Sequence, residues 1–104
     1  MAIKIGGYTF EGPYSSTSSL EDRSGVYAIL CTTGDANTYS LIDVGESSEV
    51  KTRVENHDRA GCWSKNCKNA LKYAVYYTPH KQQAGRKEIE QEIRDEYNIP
   101  CGER

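Results

Sequence analysis

The sequence predicts an α+β domain built in the order strand, strand, helix, strand, helix, and three patterns predict it. Residues 25–32 are apolar on both faces of an alternating chain, with Tyr27, Ile29 and Cys31 on one side and Val26, Ala28 and Leu30 on the other, so this strand belongs at the centre of a sheet. Residues 38–44 and 70–78 alternate with the same period of two, the first returning antiparallel after turn residues 33–37. Two further stretches place apolar side chains at helical spacing, Val50 with Val54 and then Ile89, Ile93 and Tyr97.

Taken in order, residues 3–5, Gly6-Gly7 and residues 8–10 read as a small hairpin with a two-glycine turn, or as a loosely ordered lead-in. Gly12-Pro13 and the serine-rich residues 15–19 form a loop, and the first 24 residues are peripheral to any chemistry. The second strand ends at Val44, the chain turns at Gly45, and Ser47 caps a helix running to about Arg59, with Glu46 and Glu49 complementing its dipole. Ala60-Gly61 breaks that helix, residues 62–69 lead to the third strand, and Thr78-Pro79 opens a final helix reaching about Asn98, ahead of Pro100. One domain accounts for all 104 residues, with residues 25–100 as its core.

A chain with 37% hydrophobic and 27% charged residues and no apolar run of transmembrane length has an ordinary globular composition. No signal-peptide pattern follows Met1, so a cytoplasmic location without membrane partners is expected. A net charge of -2 does not advertise a nucleic-acid binder, but residues 51–87 hold nine basic against two acidic side chains, between two acidic segments. That distribution fits a phosphate-facing surface, with Lys51, Arg59, Lys65 and Lys68 as nucleic-acid-binding residues, and it equally fits solvated lysines. The eight tyrosines fit packing in strands better than base stacking.

Cys62 and Cys67 fall within the loosest zinc-finger spacing, and His57 and His80 nominally complete such a site. Cys31 sits in an apolar strand and Cys101 near the end of the chain, so free buried thiols in a reducing compartment are the simpler expectation.

The stretch from Val44 to His57 carries the chemistry. On a helical wheel Arg53 and His57 share the arc of Val50 and Val54, four residues apart on the apolar side. They are either a core-edge pair whose polar ends find backbone or carboxylate partners, or an anion site at the edge of a sheet. Gly25-Val26-Tyr27 lies upstream, and the late helix carries Glu88, Glu90 and Glu92 before Pro100. Glycine-aliphatic-tyrosine on one strand, aliphatic-glycine at the end of the next, then Ser47, Arg53 and His57, then a late glutamate, resembles the GIY-YIG nuclease family over residues 20–100. Gly45 to Arg53 spans eight positions and Arg53 to His57 four, as in that family.

The resemblance implies a small antiparallel three-stranded sheet flanked by helices, GIY-YIG-like in its β-β-α-β-α order. It also implies an endonuclease that hydrolyses DNA phosphodiester bonds with Mg²⁺ or Mn²⁺ on Glu90 (Glu92 as fallback), with Arg53 on the phosphate, Tyr27 as the catalytic phenol and His57 as a further polar partner. An arginine suits that task because its permanent charge and planar fork match two phosphate oxygens, and a carboxylate suits a hard divalent ion that keeps several waters. Two positions depart from the family pattern: Asp43 stands where the second motif has tyrosine, and Glu46 follows Gly45 where some relatives are basic. Asp43 is therefore either a replacement metal ligand or base, or the mark of a decayed site. The expected partner is duplex or branched DNA, with a protein partner or homodimer supplying specificity. The alternatives are a non-catalytic module of the same fold that binds nucleic acid or protein, and a zinc or redox protein built on the cysteines.

Overall fold

The computed structural model describes residues 2–35 and 38–102. Five strands, β1 (Ala2–Ile5), β2 (Tyr8–Tyr14), β3 (Gly25–Thr32), β4 (Tyr39–Ser47) and β5 (Leu71–Tyr77), form one antiparallel sheet in the order β1-β2-β5-β3-β4. Helices α1 (Val50–Glu55) and α2 (Ala60–Lys65) follow β4, and α3 (Gln83–Glu96) follows β5. The expected three-stranded sheet is thereby corrected to five strands with three helices. Gly6 and Gly7, at φ +59° and +84°, make the tight turn of a β1–β2 hairpin, and β2 continues the sheet by pairing with β5. Ile5 and Phe10 are buried, so the lead-in belongs to the core rather than its periphery. The Ala36-Asn37 part of the expected turn lies outside the described residues.

The sheet divides the interior into two cores. Tyr27, Ile29, Ile42, Val50, Val54, Trp63 and Val75 meet on the side of α1 and α2, whereas Val26, Ala28, Leu30, Val44, Phe10, Ile89 and Ile93 meet on the side of α3. β3 lies between β4 and β5 and is buried on both faces, as its double apolar pattern requires. β4 forms one edge, and α3 lies along it.

The single helix expected from Ser47 to Arg59 is two short ones. β4 continues through Gly45 to Ser47, Glu49 is the N-cap of α1, and the helix ends with Asn56 as its C-cap, so His57 sits in the turn before α2. Ala60 and Gly61 open α2 rather than terminate α1.

The expectation of free thiols, and with it the zinc reading, is corrected: Cys31 bonds Cys67 and Cys62 bonds Cys101. The first ties β3 to the segment after α2, and the second ties α2 to the tail after α3. Each closes a long loop, 36 and 39 residues apart in sequence. Loop closure of that length removes roughly 3–4 kcal/mol of unfolded-chain entropy per bridge. Replacing Cys62 and Cys101 together by serine should therefore lower unfolding stability in urea by that amount. Thiol titration of the denatured, unreduced protein should find no free thiol, and four titratable thiols would sink the assignment.

Candidate functional site at the sheet edge

The site forms where Tyr27, on central β3, reaches across edge strand β4. Tyr27 is paired with Gly45, and a Cβ on Gly45 would stand 2.2 Å from the Tyr27 phenolic oxygen and 2.4 Å from its Cζ. Gly45 is thus required by the close passage of an aromatic side chain, not by a turn: it lies within β4 and its φ is not positive.

His57 meets the phenol there. Its Nε2 lies 2.6 Å from the Tyr27 oxygen, and its Nδ1 accepts the Arg59 backbone N–H at 3.0 Å. A neutral imidazole that accepts at Nδ1 carries its proton on Nε2, so His57 donates to Tyr27 and the phenolic proton stays available for another acceptor. The His57 ring stands edge-on to Tyr27 and packs against Trp63 at 4.6 Å between centroids. Burial, reinforced by the cations Arg53 and Arg59, lowers the His57 pKa to about 4, so the ring is neutral at physiological pH. Burial pushes the Tyr27 phenol up to about 12, opposed by Arg59 and Arg53 and reinforced by the charges of Asp43 and Glu90.

Arg53, on α1, is 38% exposed and donates from Nη2 to Asp58 at 3.0 Å; the hydrogen bond from Arg53 lowers the Asp58 pKa. Its expected place on the buried face is therefore corrected to a partly exposed one, which leaves the guanidinium accessible to an anion. Glu90, on α3, is 23% exposed, accepts from Arg94 Nε at 3.2 Å, and acts through space on Tyr27. Glu92, the fallback, is engaged elsewhere, by the hydroxyl of Tyr8. Glu46 faces the α3 side, 3.7 Å from Arg86, and adds no free charge beside Tyr27.

Asp43 is neither a free base nor an open metal ligand. It is fully buried, and its carboxylate accepts five hydrogen bonds, from Val44 N, Arg59 Nε and Nη2, Trp63 Nε1 and Arg94 Nη2. The expected catalytic role is corrected to an anchoring one. Trp63 and Arg94 were not singled out in the sequence, although Arg94 stands four residues after Glu90, the spacing of a helical ion pair. Lys51 is half-buried, while Lys65 and Lys68 are exposed at and beyond the end of α2.

No three His, Cys, Asp or Glu side chains converge as a metal cage among the described residues. Glu90 spends Oε2 on Arg94, and its other carboxylate oxygen would suit an ion that takes one protein ligand and completes its shell from waters and substrate phosphate, the habit of Mg²⁺. Two clefts of about 320 and 350 Å³ lie elsewhere, the first lined by β1, β4 and Tyr97 and the second by Thr32, Asp35, Asn69 and Lys72.

Gly45→Ala should cost about 1–3 kcal/mol by overpacking, and much less in a Tyr27→Ala background, measured as a double-mutant cycle; equal costs in both backgrounds would refute the close passage. His57 predicts a pH dependence. Between its native value of about 4 and its ordinary 6.5, the unfolded chain binds a proton that the native state does not. Stability is thus full above about 6.5 and falls toward pH 4 by at most about 3 kcal/mol. Urea unfolding at pH 7.5 and 5 should show this loss in the wild type and a smaller one in His57→Gln; identical losses would refute it.

Compared with protein-family models, curated proteins and solved structures, the chain matches none.

Proposed function

We propose that this chain is a metal-dependent endonuclease that hydrolyses DNA phosphodiester bonds, the reading implied by its resemblance to the GIY-YIG nucleases. The observation that carries it is the phenol of Tyr27, hydrogen-bonded by a neutral His57 and lying within the fields of Arg53, Arg59 and Glu90. Arg53, held by an exposed aspartate, exchanges that partner for a phosphate at little cost, because surface ion pairs contribute only about 0–1 kcal/mol. Its fork then stabilises charge growing on the phosphorus oxygens. Tyr27 acts as a phenolate, its charge stabilised by the His57 N–H, and takes the proton of the water that attacks phosphorus. Glu90 is the residue that would hold Mg²⁺ or Mn²⁺, which when bound polarises the phosphate and eases departure of the leaving oxygen.

Lys51, Lys65 and Lys68 lie on α1 and around the end of α2, on the same side of the sheet as Arg53, and supply sequence-independent attraction to a DNA backbone. Specificity comes from DNA shape or from a protein partner or second copy. Two disulfides fit an oxidising compartment. The cytoplasmic location was expected from the lack of a signal-peptide pattern and of an apolar run, and the two bridges favour an oxidising compartment instead; no described helix is long and apolar enough to cross a membrane.

The test is nicking of supercoiled plasmid and cleavage of branched DNA with Mg²⁺ or Mn²⁺. Arg53→Ala, Glu90→Gln and Tyr27→Phe should each lose about 10²–10³-fold in kcat, the usual cost of one preorganised group. Wild-type kcat should rise with pH as the phenolate fraction grows below the phenol's value of about 12, and Tyr27→Phe should flatten that rise. Wild type and variants cutting equally little would favour the non-catalytic DNA-binding module.

A further inference from the structure

We propose that Arg59 is a second phosphate-binding group of this site and that Asp43 is its positioning residue; the inference rests on the hydrolase reading and deepens it. Two arginines share the Asp43 carboxylate, and they differ in what they have left to give. Arg94 is 3% exposed and spends its N–H groups on Asp43, Val44 O, Cys101 O and Glu90. It is a structural tie. Arg59 is 29% exposed and reaches Asp43 through Nε at 2.8 Å and Nη2 at 3.3 Å. A guanidinium has five N–H donors in a plane, so this side-on grip leaves Nη1 and one Nη2 hydrogen on the edges turned away from the carboxylate.

Those spare donors belong to the same site as Tyr27. Arg59 is the foremost charge pulling the Tyr27 phenol down, and its own backbone N–H fixes the tautomer of His57. Arg53 and Arg59 therefore both act on one phenol, with different tethers. Asp58, which holds Arg53, is 75% exposed and exchangeable; Asp43, which holds Arg59, is fully buried and cannot leave. A guanidinium locked along one edge and open along another loses little freedom on meeting an oxyanion, which is the condition for preorganised charge stabilisation. The ligand class is the non-bridging oxygens of a phosphate diester.

Trp63 is the chain's one tryptophan, and its indole N–H donates to Asp43 Oδ2 at 2.7 Å, the oxygen that also accepts Arg59 Nε. Its ¹⁵N–¹H signal thus reports on the Asp43–Arg59 pair. Titrating inorganic phosphate into the intact, disulfide-bonded protein at constant ionic strength should move that signal saturably. Arg59→Gln should weaken phosphate binding about tenfold or more and lower kcat on DNA by about 10–10², the range of a charge-assisted hydrogen bond, with a smaller change in KM. Arg59→Lys keeps a cation on Asp43 but has no second edge; it should keep the fold while losing affinity and kcat, so instability of the glutamine variant does not obscure the result. A Trp63 signal indifferent to phosphate, or wild-type phosphate affinity and kcat in Arg59→Lys, would overturn the proposal. If phosphate binds through Arg59 but the wild type cuts no DNA, the anion site stands and the hydrolase reading fails. If the wild type cuts DNA and both Arg59 variants cut equally well, the hydrolase reading stands and this inference fails.

Discussion

The carboxylate of Asp43 is the point on which the two halves of the molecule are joined. A buried, unpaired carboxylate costs several kcal/mol, so its burial is tolerable only with its partners in place. Those partners come from both sides of the sheet: Arg59 and Trp63 from the side of α1 and α2, Arg94 from α3, and the Val44 N–H from the edge strand itself. Arg94 extends the tie to the tail through the Cys101 carbonyl, and the Cys101 N–H returns to Ile42 O on β4. Gly102 completes the arrangement, since a Cβ there would fall 2.3 Å from Arg94 Nη2. The tail and Arg94 thereby occupy the Ile42 and Val44 carbonyls on the edge that β4 would otherwise leave open to pairing with another strand.

The site inherits its position from that tie. Tyr27 extends toward the edge through the gap at Gly45, and beyond the gap stand groups that Asp43 has already placed. Arg59 carries a side chain held by Asp43 and a backbone N–H that holds His57, so one residue sets both the local charge and the tautomer facing the phenol. Glu90 is brought in because α3 lies along β4 and because Arg94, one turn later, reaches around the same edge. An acidic residue in a place the family pattern gives to tyrosine thus does not add loose negative charge to the site. Its charge is consumed by two arginines, one of which keeps donors to spare.

The legible parts of the fold are those fixed by local periodicity. β3 announces itself by being apolar on both faces, and Ile89 and Ile93 mark the buried stripe of α3. The five-stranded sheet was not legible, because β2 joins β5 across some sixty residues of chain and its alternation is interrupted at Gly12-Pro13, where the register shifts. The break in the expected long helix was hidden for a different reason: His57 continues the helical spacing of Arg53, but its ring accepts a backbone N–H two residues on and stabilises a turn instead. Four cysteines admit three pairings, and nothing local selects among them. Of the ordered set Tyr27, Arg53, His57 and Glu90, the structure joins Tyr27 to His57 directly and pairs Arg53 and Glu90 with other residues, whereas the role of Asp43 depends on partners 16, 20 and 51 residues away.

Neither α1 nor α2 exceeds six residues, too short to be stable as an isolated helix, since nucleation alone costs more than so few hydrogen bonds return. Their geometry must be imposed from outside. Val50 and Val54 bury one face of α1, while α2 is gripped by Trp63 in the core, by the Cys62–Cys101 bridge, and by the Cys31–Cys67 bridge just beyond its end. The turn carrying His57 and Arg59 lies between these two constrained helices. A catalytic or binding constellation demands placement to within roughly half an ångström, and a two-helix segment of this size reaches that only if something rigid holds it. Here the rigidity comes from two covalent bridges and one buried charge, and those three constraints, more than any helix, decide where Arg53, His57 and Arg59 stand.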